Sequence, residues 1–328
     1  MPNSRSFSLL GVAAGLAAGA FWGLTFVAPL VAAPYSAFDL TVGRYLVFGL
    51  ASLCVLAGSG FRALRDLTWR DWVLIVLLGF AGNVGCYLIL SLAVPRAGTA
   101  VAALIIGCLP AVMGVLGNRG PTRIPMRRLA PSLLTIGAGL LVANVQALLH
   151  AKAGGTLGVF VGGVALAVAA LVLWSWYGLR NASALSQRRG LSPVTWTALT
   201  GLGTVLALVP VLVAGGIGGW SMVPALGLAG AMRLVIWSLV LGLLSSWAAT
   251  WAWAVAARRL PVSLAAQLIV AETVFALVYG AIYQGRWPSG VESVGAGLLL
   301  VGVAVALKSF EGKKTSFFEK TDQKTFIH

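Results

Sequence analysis

Glu272 is the one acidic side chain placed deep inside a long apolar run of this sequence, and Arg44 is the one basic side chain set within such a run. An ionised group at membrane depth costs roughly 3 kcal/mol even on insertion scales unless it is paired or hydrated. Glu272 therefore has three available roles. It can face a cavity and bind a substrate ammonium, exchange a proton, or tie its helix to a neighbour through a structural hydrogen bond. Arg44, about six residues into its run, can snorkel to the interface, pair with Asp39, or bind a substrate carboxylate.

Polar and aromatic side chains accompany these charges. Asn83, Tyr87 and Ser91 recur every four residues and so share one side of a helix, and Ser246, Thr250 and Trp253, spaced by four and then three, share one side of another. Such faces line a wet cavity or make interhelical hydrogen bonds. Trp22, Trp174, Trp176, Trp247, Trp251 and Trp253 lie deep in apolar runs, with Tyr177 on the face of Trp174. Deep aromatic rings stack on an aromatic substrate, cover a cation, or pack against lipid and other helices. Together with Gln267, the residues Trp22, Asn83, Tyr87, Trp174, Tyr177, Ser246, Thr250 and Trp253 form the candidate cavity lining.

Little else carries chemistry. The two histidines are His150, near a helix end, and His328, in the tail. The sequence has no His-Glu-x-x-His, Walker loop or Gly-x-Ser-x-Gly. Cys54, Cys86 and Cys108 lack metal-ligand spacing and read as small apolar filler. No catalytic centre, metal or cofactor is expected.

The elements that position these residues follow from composition. Of 328 residues, 59% are hydrophobic and only 9% charged, with a mean hydropathy of +0.95. A soluble domain carries about 25% charged residues, so the bilayer is the expected solvent and helices of about 20 residues the expected unit. Ten apolar runs place helices at 8–31, 38–58, 71–93, 97–118, 129–149, 157–180, 194–217, 233–257, 261–284 and 289–308. The first is too long for the core of a cleaved signal peptide and reads as an uncleaved helix. Polar residues 309–328 read as a disordered tail.

The net charge of +15 is scattered through short loops rather than gathered in a stripe, which argues against nucleic acid. Placing the N-terminus inside puts 18 Lys and Arg residues in cytoplasmic segments and four outside, with Arg44 within a helix. That bias predicts a multi-pass plasma-membrane protein with both termini cytoplasmic.

The chain also repeats itself. Residues 136–141 (Ile-Gly-Ala-Gly-Leu-Leu) match 294–299 (Val-Gly-Ala-Gly-Leu-Leu) at an offset of 158, and Ala93 to Pro110 align with Ala256 to Thr273 at an offset of 163. Asn83 then falls opposite Ser246, and Tyr87 opposite Thr250. Residues 1–149 and 150–308 read as two five-helix repeats. Five is odd, so the second copy enters the membrane from the opposite side, a recurrent design for alternating access. Gly11, Gly15, Gly19 and Gly23 form a smooth stripe on the first helix for close helix packing. Pro110 and Pro210 mark expected kinks.

Trp22-Gly23, Gly43-Arg44-Tyr45, the Ala-x-x-x-x-Gly-x-Leu-Pro pattern ending at Pro110, and Ala-Glu-Thr-Val-Phe from Ala271 to Phe275 together resemble the drug/metabolite transporter superfamily, in particular its EamA-type ten-helix members. Thr273 stands where that family's Glu-Pro-Val-Phe motif has proline. The likeness covers roughly residues 8–308 and is greatest toward the YddG-type exporters of aromatic amino acids. It implies a central cavity lined mainly by helices 1, 3, 4, 6, 8 and 9, and export of amino acids and related metabolites.

The sequence thus predicts an all-α integral membrane protein of ten transmembrane helices in two inverted five-helix repeats. Its expected role is alternating-access export of amino acids, aromatic or hydrophobic ones first, with the lipid bilayer as its other partner, as a monomer or homodimer. A cavity with few fixed charges suits zwitterions, whereas phosphorylated sugars would demand several intramembrane cations. A drug/metabolite transporter acting on other substrates, and a non-transporting scaffold or lipid-interacting subunit, remain as alternatives.

Overall fold

The computed structural model describes residues 9–32, 34–97, 99–118, 123–149, 157–188, 190–221, 223 and 231–325. The side chains of Ser91 and of residues 311–328 lie outside the described set, as does His150. Among the described residues all regular structure is helical. α1 is Leu9–Ala32 and α2 is Ala37–Gly58. α3 runs through Trp69–Gly79, a π-helical turn at Phe80–Val84, and Gly85–Ala97. α4 is Thr99–Gly107 followed by Leu109–Leu116, α5 is Met126–Leu149, α6 is Leu157–Gln187 and α7 is Pro193–Ile217. α8 joins Ala231–Val240, π-helical Leu241–Ala248 and Ala249–Arg259. α9 is Val262–Leu268 with Val270–Tyr283, and α10 is Gly290–Thr325.

Nine of these are long and apolar enough to cross a bilayer, and α4 supplies a shorter apolar helix, Leu104–Leu116. The chain is an all-α, multi-span membrane protein. Leu50, Leu134, Val172, Ile217 and Ile282 are exposed, as side chains in contact with lipid must be. Trp69 and Trp287, at helix ends, are also exposed, where interfacial anchors sit.

Three helices differ from the sequence expectation. α6 extends seven residues past its expected end at 180. Nothing breaks it before Gly190, and the extra turns bury Asn181, whose Oδ1 accepts from Trp196 Nε1 of α7 at 2.7 Å. α9 breaks at Ile269 although Thr273 replaces the proline: Ile269 N bonds Ala266 O at 3.2 Å and Glu272 N bonds Ile269 O at 2.8 Å, both three-residue turns. α10 stays helical to Thr325, through the segment expected to be disordered, because its polar end is rich in good helix formers such as Lys, Glu and Gln.

The two halves make equivalent contacts. A Cβ placed on Gly79 of α3 would strike the backbone of Thr204 in α7. One placed on Gly242 of α8 would sit 2.8 Å from the backbone oxygen of Arg44 in α2. Gly79 and Gly242 are related by the offset of 163, and Arg44 and Thr204 by 160. Gly11 of α1 abuts Arg259 and Leu260, while Gly163 of α6 abuts Arg96 and Ala97. The pairs Arg96/Arg259 and Ala97/Leu260 are again 163 apart, and Gly11 and Gly163 are 152 apart. The π turns of α3 and α8 also fall at the 163 offset. Such reciprocity is the signature of a pseudo-twofold arrangement, in which each contact is matched by its mate. The glycine stripe of α1 lies against α9: Gly19 and Gly23 would bring a Cβ to 2.9 Å of Glu272 N and 2.9 Å of Phe275 Cβ.

Candidate functional site

Ser36 caps α2, its hydroxyl accepting from Asp39 N at 3.1 Å while Ser36 N donates back to the Asp39 carboxylate at 3.1 Å. Ser221 Oγ also donates to that carboxylate at 2.5 Å. The pairing of Arg44 with Asp39 is not formed. The free N–H groups of a helix start are the better partner for an aspartate there, and Arg44, five residues on, leaves a different face of the helix. Nor does Arg44 snorkel, being buried at 5% exposure.

Instead Arg44 turns into the bundle. Its Nε donates to Ser246 Oγ at 2.8 Å and its Nη2 to Ser245 O at 3.3 Å, both in the π turn of α8. The guanidinium lies over the rings of Tyr45 at 5.1 Å and Tyr87 at 5.6 Å, a cation–π seat that partly replaces lost water. Ser245 Oγ in turn donates to Phe21 O of α1 at 2.6 Å, next to Trp22. Among the described residues Arg44 forms no ion pair: the two salt bridges are Arg188–Asp71 and Arg286–Glu292.

Glu272 sits on the second segment of α9, just past the break, with Gly19 of α1 against its backbone. Among the described residues its carboxylate has no hydrogen bond or ion pair, so the structural tie to a neighbouring helix is not made. Glu272 and the anchor of Arg44 both reach α1: Gly19 lies against Glu272 N, and Ser245, next to the Arg44 partner Ser246, bonds Phe21 O. Two opposite charges without an ion-pair partner among the described residues, in a low-dielectric interior, suit a ligand that carries both complementary charges.

Four of the deep aromatics form one cluster, while Trp176 and Trp251 are exposed and Trp247 packs beside Tyr45 and Phe48. Trp22 meets Trp174 edge-on with ring centroids 5.7 Å apart and lies 5.8 Å from Trp253. Trp174 also contacts Tyr177 at 5.6 Å and Trp253 at 6.1 Å. Trp22 and Trp174 are 152 apart, the offset that relates Gly11 to Gly163. Equivalent residues in mutual contact must lie near the pseudo-twofold axis, so this cluster marks the junction of the halves. Trp253 and Tyr177 are buried, while Trp22 and Trp174 are half-buried.

Two candidate lining residues are engaged elsewhere. Asn83 Nδ2 donates to Thr204 Oγ1 of α7 at 3.0 Å. Gln267 Oε1 accepts from Ser132 Oγ of α5 at 2.7 Å. Both are interhelical ties, and Asn83–Thr204 is the pseudo-twofold counterpart of Ser246–Arg44. Thr250 is buried in α8. A double-mutant cycle of Asn83→Ala and Thr204→Ala, read by thermal melting in detergent, is expected to give a coupling of roughly 0.6 kcal/mol, the mean for membrane hydrogen bonds. A coupling of zero would detach Asn83 from that role.

No family model matches the sequence. The inner membrane protein YtfF of Escherichia coli (strain K12) is 35% identical over 309 residues, spanning 91% of this chain and 95% of its own. The chain belongs to the YtfF family of inner membrane proteins. A solved crystal structure of another protein shares the fold at a TM-score of 0.71 and 21% identity, covering 90% of this chain and 96% of that one.

This YtfF-family chain uses residues that helix-face reasoning did not single out. Tyr45 stands beside Arg44 and was visible only as part of a family motif. Ser245 and Phe21 carry backbone and hydroxyl contacts that have no pattern in sequence. Cys86, which looked like filler, donates to Ala170 O at 3.6 Å.

Proposed function

We propose that this protein is an amino-acid exporter of the EamA type within the drug/metabolite transporter superfamily, a carrier rather than an enzyme, working by alternating access. The observation that carries the reading is the unpaired Arg44 and Glu272 beside a cluster of aromatic rings at the junction of the halves. A zwitterionic amino acid supplies what each lacks: its carboxylate to Arg44, its ammonium to Glu272, and an aromatic or hydrophobic side chain to the rings of Trp22 and Trp174. The repeat supports one oriented site rather than two, because the counterpart of Arg44 is Thr204 and that of Glu272 is Leu109. A zwitterion moves no net charge, so efflux down its gradient is not opposed by the membrane potential. Rocking of α1–α5 against α6–α10 would open the site to either face. The bias of basic residues supports cytoplasmic termini.

Counterflow tests this directly. Purified protein in liposomes loaded with unlabelled tyrosine or leucine should accumulate the labelled amino acid transiently, and unlabelled aromatic amino acids should compete. Monodisperse protein that gives no counterflow with any aromatic or hydrophobic amino acid overturns the proposal and leaves a scaffold role.

A further inference from the structure

Indole N–H groups that are buried nearly always find an acceptor. Trp253 is 2% exposed, and among the described residues its Nε1 has no hydrogen-bond partner. This orphan lies within the aromatic cluster, its ring 5.8 Å from Trp22 and 6.1 Å from Trp174. Trp22 of α1 and Trp174 of α6 are both half-buried, so either ring can yield its place to a ligand. A substrate ring taking the place of Trp22 would then meet a donor that has no acceptor of its own.

We infer that Trp253 Nε1–H is a specificity-determining donor for the proposed carrier, favouring amino acids whose aromatic or apolar side chain carries a hydrogen-bond acceptor. Indole is a donor only. Trp253 therefore satisfies a phenol oxygen, leaves phenylalanine without a partner, and makes no bond to the donor N–H of tryptophan. The remaining polar group, the Tyr177 hydroxyl, can complete the phenol's bonding but does not replace the indole. The inference rests on the amino-acid reading above and extends it to the choice among side chains.

Competition counterflow in proteoliposomes, with labelled leucine as reporter, tests it. Wild-type protein should be half-inhibited by tyrosine at about one-tenth the concentration of phenylalanine, as one added neutral hydrogen bond allows. O-methyltyrosine, which keeps the acceptor and loses the donor, should group with tyrosine. Trp253→Phe should bring the tyrosine preference, read as the ratio of the half-inhibiting concentrations of phenylalanine and tyrosine, to within about twofold whatever its overall rate, the indole donor being the only polar group removed. Equal inhibition by tyrosine and phenylalanine, O-methyltyrosine grouping with phenylalanine, or a folded Trp253→Phe that keeps the preference would each overturn the assignment. If the variant does not fold, the three wild-type competitors still decide. Absence of flux with every amino acid would instead overturn the carrier reading, a distinguishable outcome.

Discussion

Replacing Arg44 with glutamine is expected to abolish amino-acid counterflow while leaving the helical fold intact. In the proposed complex the α-carboxylate meets a buried cation, and removing one member of such a pair costs roughly 2–5 kcal/mol, or about thirtyfold to several-thousandfold in apparent affinity. Glutamine keeps a donor for Ser246 but carries no charge. Lysine keeps the charge but loses the fork that lets one guanidinium serve Ser246, Ser245 and a ligand together, so Arg44→Lys should fall between the two. Ser246→Ala separates anchoring from binding. It removes one hydrogen bond to Nε, with a net worth of about 1.5–3 kcal/mol when the donor is charged, and should weaken transport less than Arg44→Gln. Half-saturating concentrations from counterflow, with circular dichroism and size-exclusion profiles as folding controls, read all three. Flux by Arg44→Gln within about threefold of wild type, well short of the loss of a buried charge pair, would remove Arg44 from the site.

The spans were legible because a bilayer permits little else: apolar runs of about 20 residues must be helices. The reciprocal contacts were legible too, since the offset of 163 read from Ala93–Pro110 also relates Gly79 to Gly242. The π turns were not. An extra residue in one helical turn leaves the apolar pattern intact, yet rotates the later part of the helix by about 100° relative to the earlier part. Asn83 and Tyr87 accordingly meet different neighbours. Asn83 lies inside the turn at Phe80–Val84 and reaches α7, whereas Tyr87 lies beyond it and reaches Arg44. Spacing could assign Asn83 to a face but not say whether a helix or a cavity stood opposite. The partner of Gln267 was likewise out of reach of spacing, Ser132 lying 135 residues away. Spacing did not single out the aromatic cluster either: Trp176 and Trp251 lie as deep in their runs as Trp174 and Trp253, yet are exposed.

The largest expected effect on stability belongs to the glycines where backbones meet. Gly79→Leu and Gly242→Leu should each leave little folded protein in detergent, because the new side chain must displace main chain. At Gly79 the obstacle is the backbone of Gly203 and Thr204; at Gly242 it is Arg44 O and the Cβ of Val47, at 2.8 and 2.5 Å. Overpacking against movable side chains costs about 1–3 kcal/mol, and an obstacle made of backbone should exceed that range. Gly137→Leu and Gly297→Leu introduce the same side chain where a Cβ meets nothing within 4 Å, and both should be tolerated. Thermal melting followed by size-exclusion chromatography makes the comparison. Equal stability of Gly79→Leu and Gly137→Leu would refute the close approach of α3 to α7. A large loss at Gly79 with none at Gly242 would refute the reciprocity of the two halves. If both are lost, α3–α7 and α2–α8 are matched seams that join the two halves by close backbone approach, and any rocking of the halves must hinge about them.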